Sequence, residues 1–165
     1  MVEVPCEAAS GRSAASLPRS LHLEQANMMI RPDQNQQKPG EEPDVWHWAK
    51  LTQADPAPFS TRFDLPDLAA HGADAALRIN FRGISTIVVP MDRQKDRPSD
   101  HLVEVRINGH LLDRIGWNGR DEFAQELKVP LQDLRATGNE LVLSIPKRNL
   151  AWNPAQTAID VVMFN

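Results

Sequence analysis

The sequence predicts an all-β fold, an antiparallel β-sandwich or jelly roll of about eight strands. Three observations carry this. Beyond Pro58, apolar and polar residues alternate in run after run, the period of a half-buried strand. The stretch "HLVEVRINGHLLDRIGWNGR", His101 to Arg120, sets Asn108-Gly109 between two such runs, and Asn-Gly is the strongest short-range hairpin signal. Almost nothing in the chain has the spacing of an amphipathic helix. Strands with one apolar face need a second sheet to cover it, which a sandwich supplies.

Taken in order, residues 1–20 are rich in Ala and Ser and are expected to be a disordered tail or linker, leaving 21–165 as a single domain. "LHLEQANMMI", Leu21 to Ile30, is expected as a first edge strand, and "RPDQNQQKPGEEPD", with three prolines, as loop. In "DVWHWAKL", Trp46 and Trp48 stand two apart and would share a face in extended chain. "FSTRFDL" alternates. "AALRINFRGI" places Leu77, Ile79 and Phe81 on one face and Arg78, Asn80 and Arg82 on the other. "STIVVP" is a short apolar run, and "MDRQKDRPSD" a charged loop.

The predicted hairpin turns Val103, Val105 and Ile107 inward and Glu104 and Arg106 outward. "DEFAQELKVP" puts Phe123, Gln125, Leu127 and Val129 on one face. "LQDLRATGNE" reads as one short helical turn closed by Gly138. "ELVLSIP" alternates with Leu141, Leu143 and Ile145 inward, and "TAIDVVMFN" is the last strand. A chain that stops on a strand is expected to be a module excised from a longer protein.

Composition narrows the function classes. The 165 residues suffice for one cored domain, with 24% charged and 41% hydrophobic residues as in ordinary globular proteins. The net charge of −4 and the lack of a Lys/Arg run argue against a nucleic-acid partner. No stretch approaches the roughly 18 apolar residues of a membrane span. The N-terminus has no apolar signal-peptide core. The single cysteine, Cys6, excludes an intrachain disulfide.

Val105, Ile107, Asn108 and Gly109, followed by Leu134, Gly138, Asn139, Leu141 and Leu143, make a pattern that resembles the galactose-binding-like jelly roll. In that group a strand ends in V-x-V/I-N-G, and G-N-x-L-x-L/V follows downstream. With "DVWHWAKL" and "AALRINFRGIS" upstream, the stretch from Val45 onward is most similar to the lectin-like β-sandwich module found beside gingipain-type cysteine peptidase domains. The resemblance implies a non-catalytic, lectin-like or carbohydrate-binding-like accessory module of a larger exported bacterial protein, secreted or at the cell surface. The alternative is a structural or protein-interaction module that packs on a neighbouring peptidase-like domain and takes no small ligand. Cys6 has no histidine near it in sequence, so no catalytic residue carries over and no enzyme is expected.

Glycan binding asks for exposed aromatic rings that stack on sugar C–H faces, with Asp, Asn and Arg for the hydroxyls. Trp117, beside Asn118 and Arg120, is the first ligand-side candidate, with Trp152 second. The competing role for Trp117 is to cap one end of the sandwich core; Trp46 and Trp48 are expected to anchor the first segment to the sheet. Asp92, Asp96 and Asp100 lack the alternating spacing of a calcium loop and have Arg93, Lys95 and Arg97 among them. No cofactor is expected, with a structural calcium held through backbone carbonyls left open. No pair among His22, His47, His71, His101 and His110 has zinc-ligand spacing, although His101 and His110 flank the hairpin. Glu104, Asp113, Asp121 and Glu122 lie on or near adjacent strands, where a carboxylate pair would have to assemble in space.

Overall fold

The computed structural model describes residues 19–29, 46–53, 55, 57–87 and 89–148, and the backbone of 161–164. Cys6, Trp152 and nearly all of the expected tail lie outside the described residues.

Among the described residues ten strands form in chain order: β1 (Met28–Met29), β2 (Trp46–His47), β3 (Ala49–Thr52), β4 (Phe59–Phe63), β5 (Ala75–Gly83), β6 (His101–Ile107), β7 (His110–Trp117), β8 (Glu122–Val129), β9 (Asn139–Ser144) and β10 (Val161–Phe164). Eight of them make two four-stranded sheets, ordered β3-β10-β5-β8 and β4-β9-β6-β7, and every pairing is antiparallel. From β3 onward the chain changes sheet at each step, except at the β6–β7 hairpin. That is the two-sheet winding of a jelly roll. β1 and β2 form a separate two-stranded ribbon.

The alternation read from the sequence builds the core. Ile79 and Phe81 of β5, Val103, Val105 and Ile107 of β6, Leu127 and Val129 of β8, and Leu141 and Leu143 of β9 are all buried in one cluster. Each such side chain contributes about 1.5–3 kcal/mol when removed from water. The turn between β6 and β7 is Asn108-Gly109 with both φ values positive, 51° and 86°, as a two-residue hairpin loop requires. The helical turn after β8 is a 3-10 helix at Leu131–Asp133, and Gly138 leaves it with φ 67°.

Several expectations need correction. Among the described residues of the expected Leu21–Ile30 strand, only Met28–Met29 pair in a regular ladder. The apolar run "STIVVP" carries the chain between the sheets, and the Ile87 N–H donates to the Asp100 carboxylate (3.0 Å). The charged loop opens with a 3-10 helix, Met91–Asp96. Trp46 and Trp48 do not share a face, because the chain bends between β2 and β3. Trp46 is 46% exposed, while Trp48 is buried with its ring edge-on to Phe59 at 5.1 Å. A bulge skips Leu112 in the β6–β7 register, so Leu112 packs against the core.

β5 ends on Gly83, where the two sheets approach. A side chain there would collide with the Gly119 carbonyl and the buried His101 ring. Gly83→Ala is therefore expected to lower stability by about 2–3 kcal/mol, read by urea unfolding. A change below about 0.5 kcal/mol would contradict this close approach.

Candidate functional site

Two places in the fold collect polar side chains for different reasons. One is the corner between β7 and β8, which holds the residues the sequence singled out. The other is the outer face of β5 and β8.

The corner is a structural staple. Asp100 is 2% exposed, and its carboxylate accepts from the backbone N–H of Ile87 (3.0 Å), the N–H of Gly119 (3.0 Å) and Arg97 Nη2 (2.8 Å). The Asn118 side-chain oxygen accepts from the Asp100 N–H at 2.8 Å. His101 Nε2 donates to the Gly119 carbonyl at 2.8 Å, which requires the Nε2–H tautomer. Arg148 donates to the carbonyls of Ser99 (2.5 Å) and Asp100 (2.8 Å). Burial alone would raise the Asp100 pKa. The N–H groups of Ile87 and Gly119, with the Arg97 guanidinium, outweigh it and hold the carboxyl below its ordinary value.

Trp117 sits inside this corner. It is 7% exposed, stacks in parallel on Phe123 at 5.2 Å, and packs at a tilt on Phe81 (5.2 Å) and His101 (4.8 Å). Its ring caps one end of the core, so a sugar has no open face to stack on. Asn118 is exposed, but its amide oxygen is occupied by Asp100. Arg120 is exposed. The corner thus holds Trp117 buried, with Asn118 and Arg120 exposed beside it.

The outer face of β5 and β8 has a different character. Alternation turns Arg78, Asn80 and Arg82 outward between the buried Ile79 and Phe81. Register sets Glu122 opposite Arg82, Ala124 opposite Asn80 and Glu126 opposite Arg78. Arg82 is itself 8% exposed and donates to Glu122 at 3.2 Å. The buried His47, from the β1–β2 ribbon, borders the same face. All of these face residues but Glu126 line a shallow depression of about 320 Å³ with Phe81 and Phe123. Arg78 and Asn80 are exposed, and neither side chain has a hydrogen bond or ion pair among the described residues. A free guanidinium, a free amide and an oriented carboxylate are the groups that recognise hydroxyls and anions.

A second depression, about 340 Å³, lies at the far end between Asn108, Gly109, Gly138 and Glu140, with Arg62 and Arg135. Its amides are committed to structure. Asn108 Nδ2 donates to the Asp133 carbonyl (2.7 Å) and to Asn139 Oδ1 (3.0 Å), and the Glu140 N–H donates to Asn108 Oδ1 (2.9 Å).

The remaining candidates separate. His101 and His110 stand at opposite ends of the hairpin, His101 across from Trp117 and His110 across from Ile107. Glu104 lies on the outer face of the other sheet from Glu122, where Arg114 (2.7 Å) hydrogen-bonds it and depresses its pKa despite partial burial, with Arg106 helping. Among the described residues no group of three or more His, Cys, Asp and Glu side chains is placed to hold a metal ion, and Asp100 is saturated by protein donors. Among the described residues no helix is long and apolar enough to cross a membrane.

No family model and no curated protein matches the chain. The assignment of a site therefore rests on geometry. Arg78, Asn80 and Arg82 were legible as an outward row. That His47 and Glu122 join them was not, because neither the ribbon nor the β5–β8 register is written in local sequence.

Proposed function

We propose that this chain is a non-catalytic, carbohydrate-binding-like jelly-roll module, an accessory part of a larger exported protein, with its glycan site on the outer face of β5 and β8. The observation that carries the reading is the pairing of a free Asn80 amide and a free Arg78 guanidinium with the oriented Arg82–Glu122 pair in one depression. The galactose-binding-like resemblance supports the same class of function. The ligand surface moves from the Trp117 corner to the sheet face, because the corner spends its polar groups on the fold.

A glycan array, followed by calorimetry on the best ligand, tests this. Asn80→Ala is expected to weaken binding roughly tenfold or more, since one well-made hydrogen bond to a charged or polar partner is worth that factor. Arg120→Ala is expected to leave affinity unchanged. A folded protein that binds no glycan, or one that loses binding through Arg120 and not Asn80, contradicts the reading.

One observation favours a second reading, an interaction module. Met29 and Trp46 face each other across the β1–β2 ribbon and are 52% and 46% exposed. Paired exposed apolar side chains of this kind mark protein contacts. On that reading Trp46→Ala, and not Asn80→Ala, abolishes the module's binding to its neighbour.

A further inference from the structure

We infer that the β5–β8 face takes a carboxylate-bearing saccharide, a uronate-type polymer, an inference that rests on the glycan reading above. Outward positions of β3, β5 and β8 carry Lys50, Arg78, Arg82 and Lys128 against Glu122 and Glu126, so four cations face two carboxylates on a chain whose net charge is −4. The face is a local cationic surface on an anionic protein, which concentrates anionic ligands there. Arg82 is engaged by Glu122, while Arg78 stands opposite Glu126 without an ion pair among the described residues. Its guanidinium is open to a carboxylate in the bidentate geometry that arginine favours.

Arg78 and Arg82 are four residues apart on one strand, about 13 Å along its axis. That spacing suits an extended chain more than a single small anion. Asn80 lies between them with its amide donors and acceptor unengaged among the described residues, and Glu122 adds a carboxylate that accepts from hydroxyls. A ligand bearing both carboxylates and hydroxyls satisfies the whole row. Nucleic acid fits less well: Glu122 opposes its phosphates, and the depression offers no exposed aromatic platform for its bases.

Three probes separate the contributions. Oligogalacturonides carry both groups, their methyl esters carry the hydroxyls alone, and poly-glutamate carries carboxylates alone. Oligogalacturonides are expected to bind roughly tenfold or more tighter than either control. Added salt is expected to weaken that binding and leave the ester unaffected. Arg78→Ala is expected to remove most of the preference for acid over ester. Arg78 is exposed and unpaired, so the variant should melt with the wild type, which the same samples verify. Equal affinity for acid and ester overturns the inference while leaving the glycan reading in place. Equal affinity for poly-glutamate overturns it by making the surface a plain polyanion site. Failure to bind any of the three overturns it as well, and a blank glycan array beside that failure removes the glycan reading too.

Discussion

Asp100→Ala is expected to destabilise the protein by about 3–5 kcal/mol, the range for removing one member of a buried charged network. The change leaves the N–H groups of Ile87 and Gly119 without acceptors and the Arg97 guanidinium without its partner. It also frees the two segments that Asp100 ties together, the crossover after β5 and the corner after β7. Asp100→Asn keeps the shape and one acceptor oxygen, and is expected to lose less. Because the folded carboxyl titrates below its ordinary value, its contribution is present above the ordinary carboxylate range and is lost as pH falls through the folded pKa. Urea unfolding across pH therefore has a clear expectation: wild-type stability falls on the acid side, and Asp100→Asn flattens that fall. Glu104, also lowered, adds to the acid sensitivity in both proteins. A loss below about 1 kcal/mol in Asp100→Ala would show that the corner holds without its staple.

Trp117→Ala is expected to cost about 3–5 kcal/mol, as for large aromatic rings removed from cores. The ring fills the space between Phe81, His101 and Phe123, and its loss leaves a cavity next to the close approach at Gly83. Trp117 Nε1 has no hydrogen-bond partner among the described residues, so the loss is one of packing and not of hydrogen bonding. Trp117→Phe keeps an apolar ring and is expected to cost only about 1–2 kcal/mol. Thermal unfolding of the two variants separates the cases. If Trp117→Ala melts with the wild type yet loses ligand binding, Trp117 is a ligand residue after all and the core-capping role fails.

The sequence made much of the sandwich legible because one signal, alternation, encodes both strand and burial. Val103, Val105 and Ile107 could be placed inward from spacing alone, and so could Leu141 and Leu143. The Asn108-Gly109 turn was legible because few residue pairs accept two positive φ values. What alternation does not encode was missed. The bulge at Leu112 reverses the alternation within a strand whose residues look regular. The apolar run "STIVVP" gives no local sign of its tie to Asp100, whose carboxylate accepts from the Ile87 N–H across thirteen positions of sequence. Trp117, Asn118 and Arg120 stood out as a ligand corner because aromatic and amide residues look alike whether they serve a glycan or a fold. Only burial and the hydrogen bonds to Asp100 separate the two. The β5–β8 face needed a register and a ribbon that no local window contains.

Amide chemical-shift mapping of the protein titrated with oligogalacturonide tests the β5–β8 site most directly. Shifts are expected to concentrate on Arg78, Asn80, Arg82, Glu122 and Ala124, with His47 alongside. Shifts concentrated on Asn118 to Arg120, or on Met29 and Trp46, would contradict that site and return the binding surface to the corner or to the ribbon.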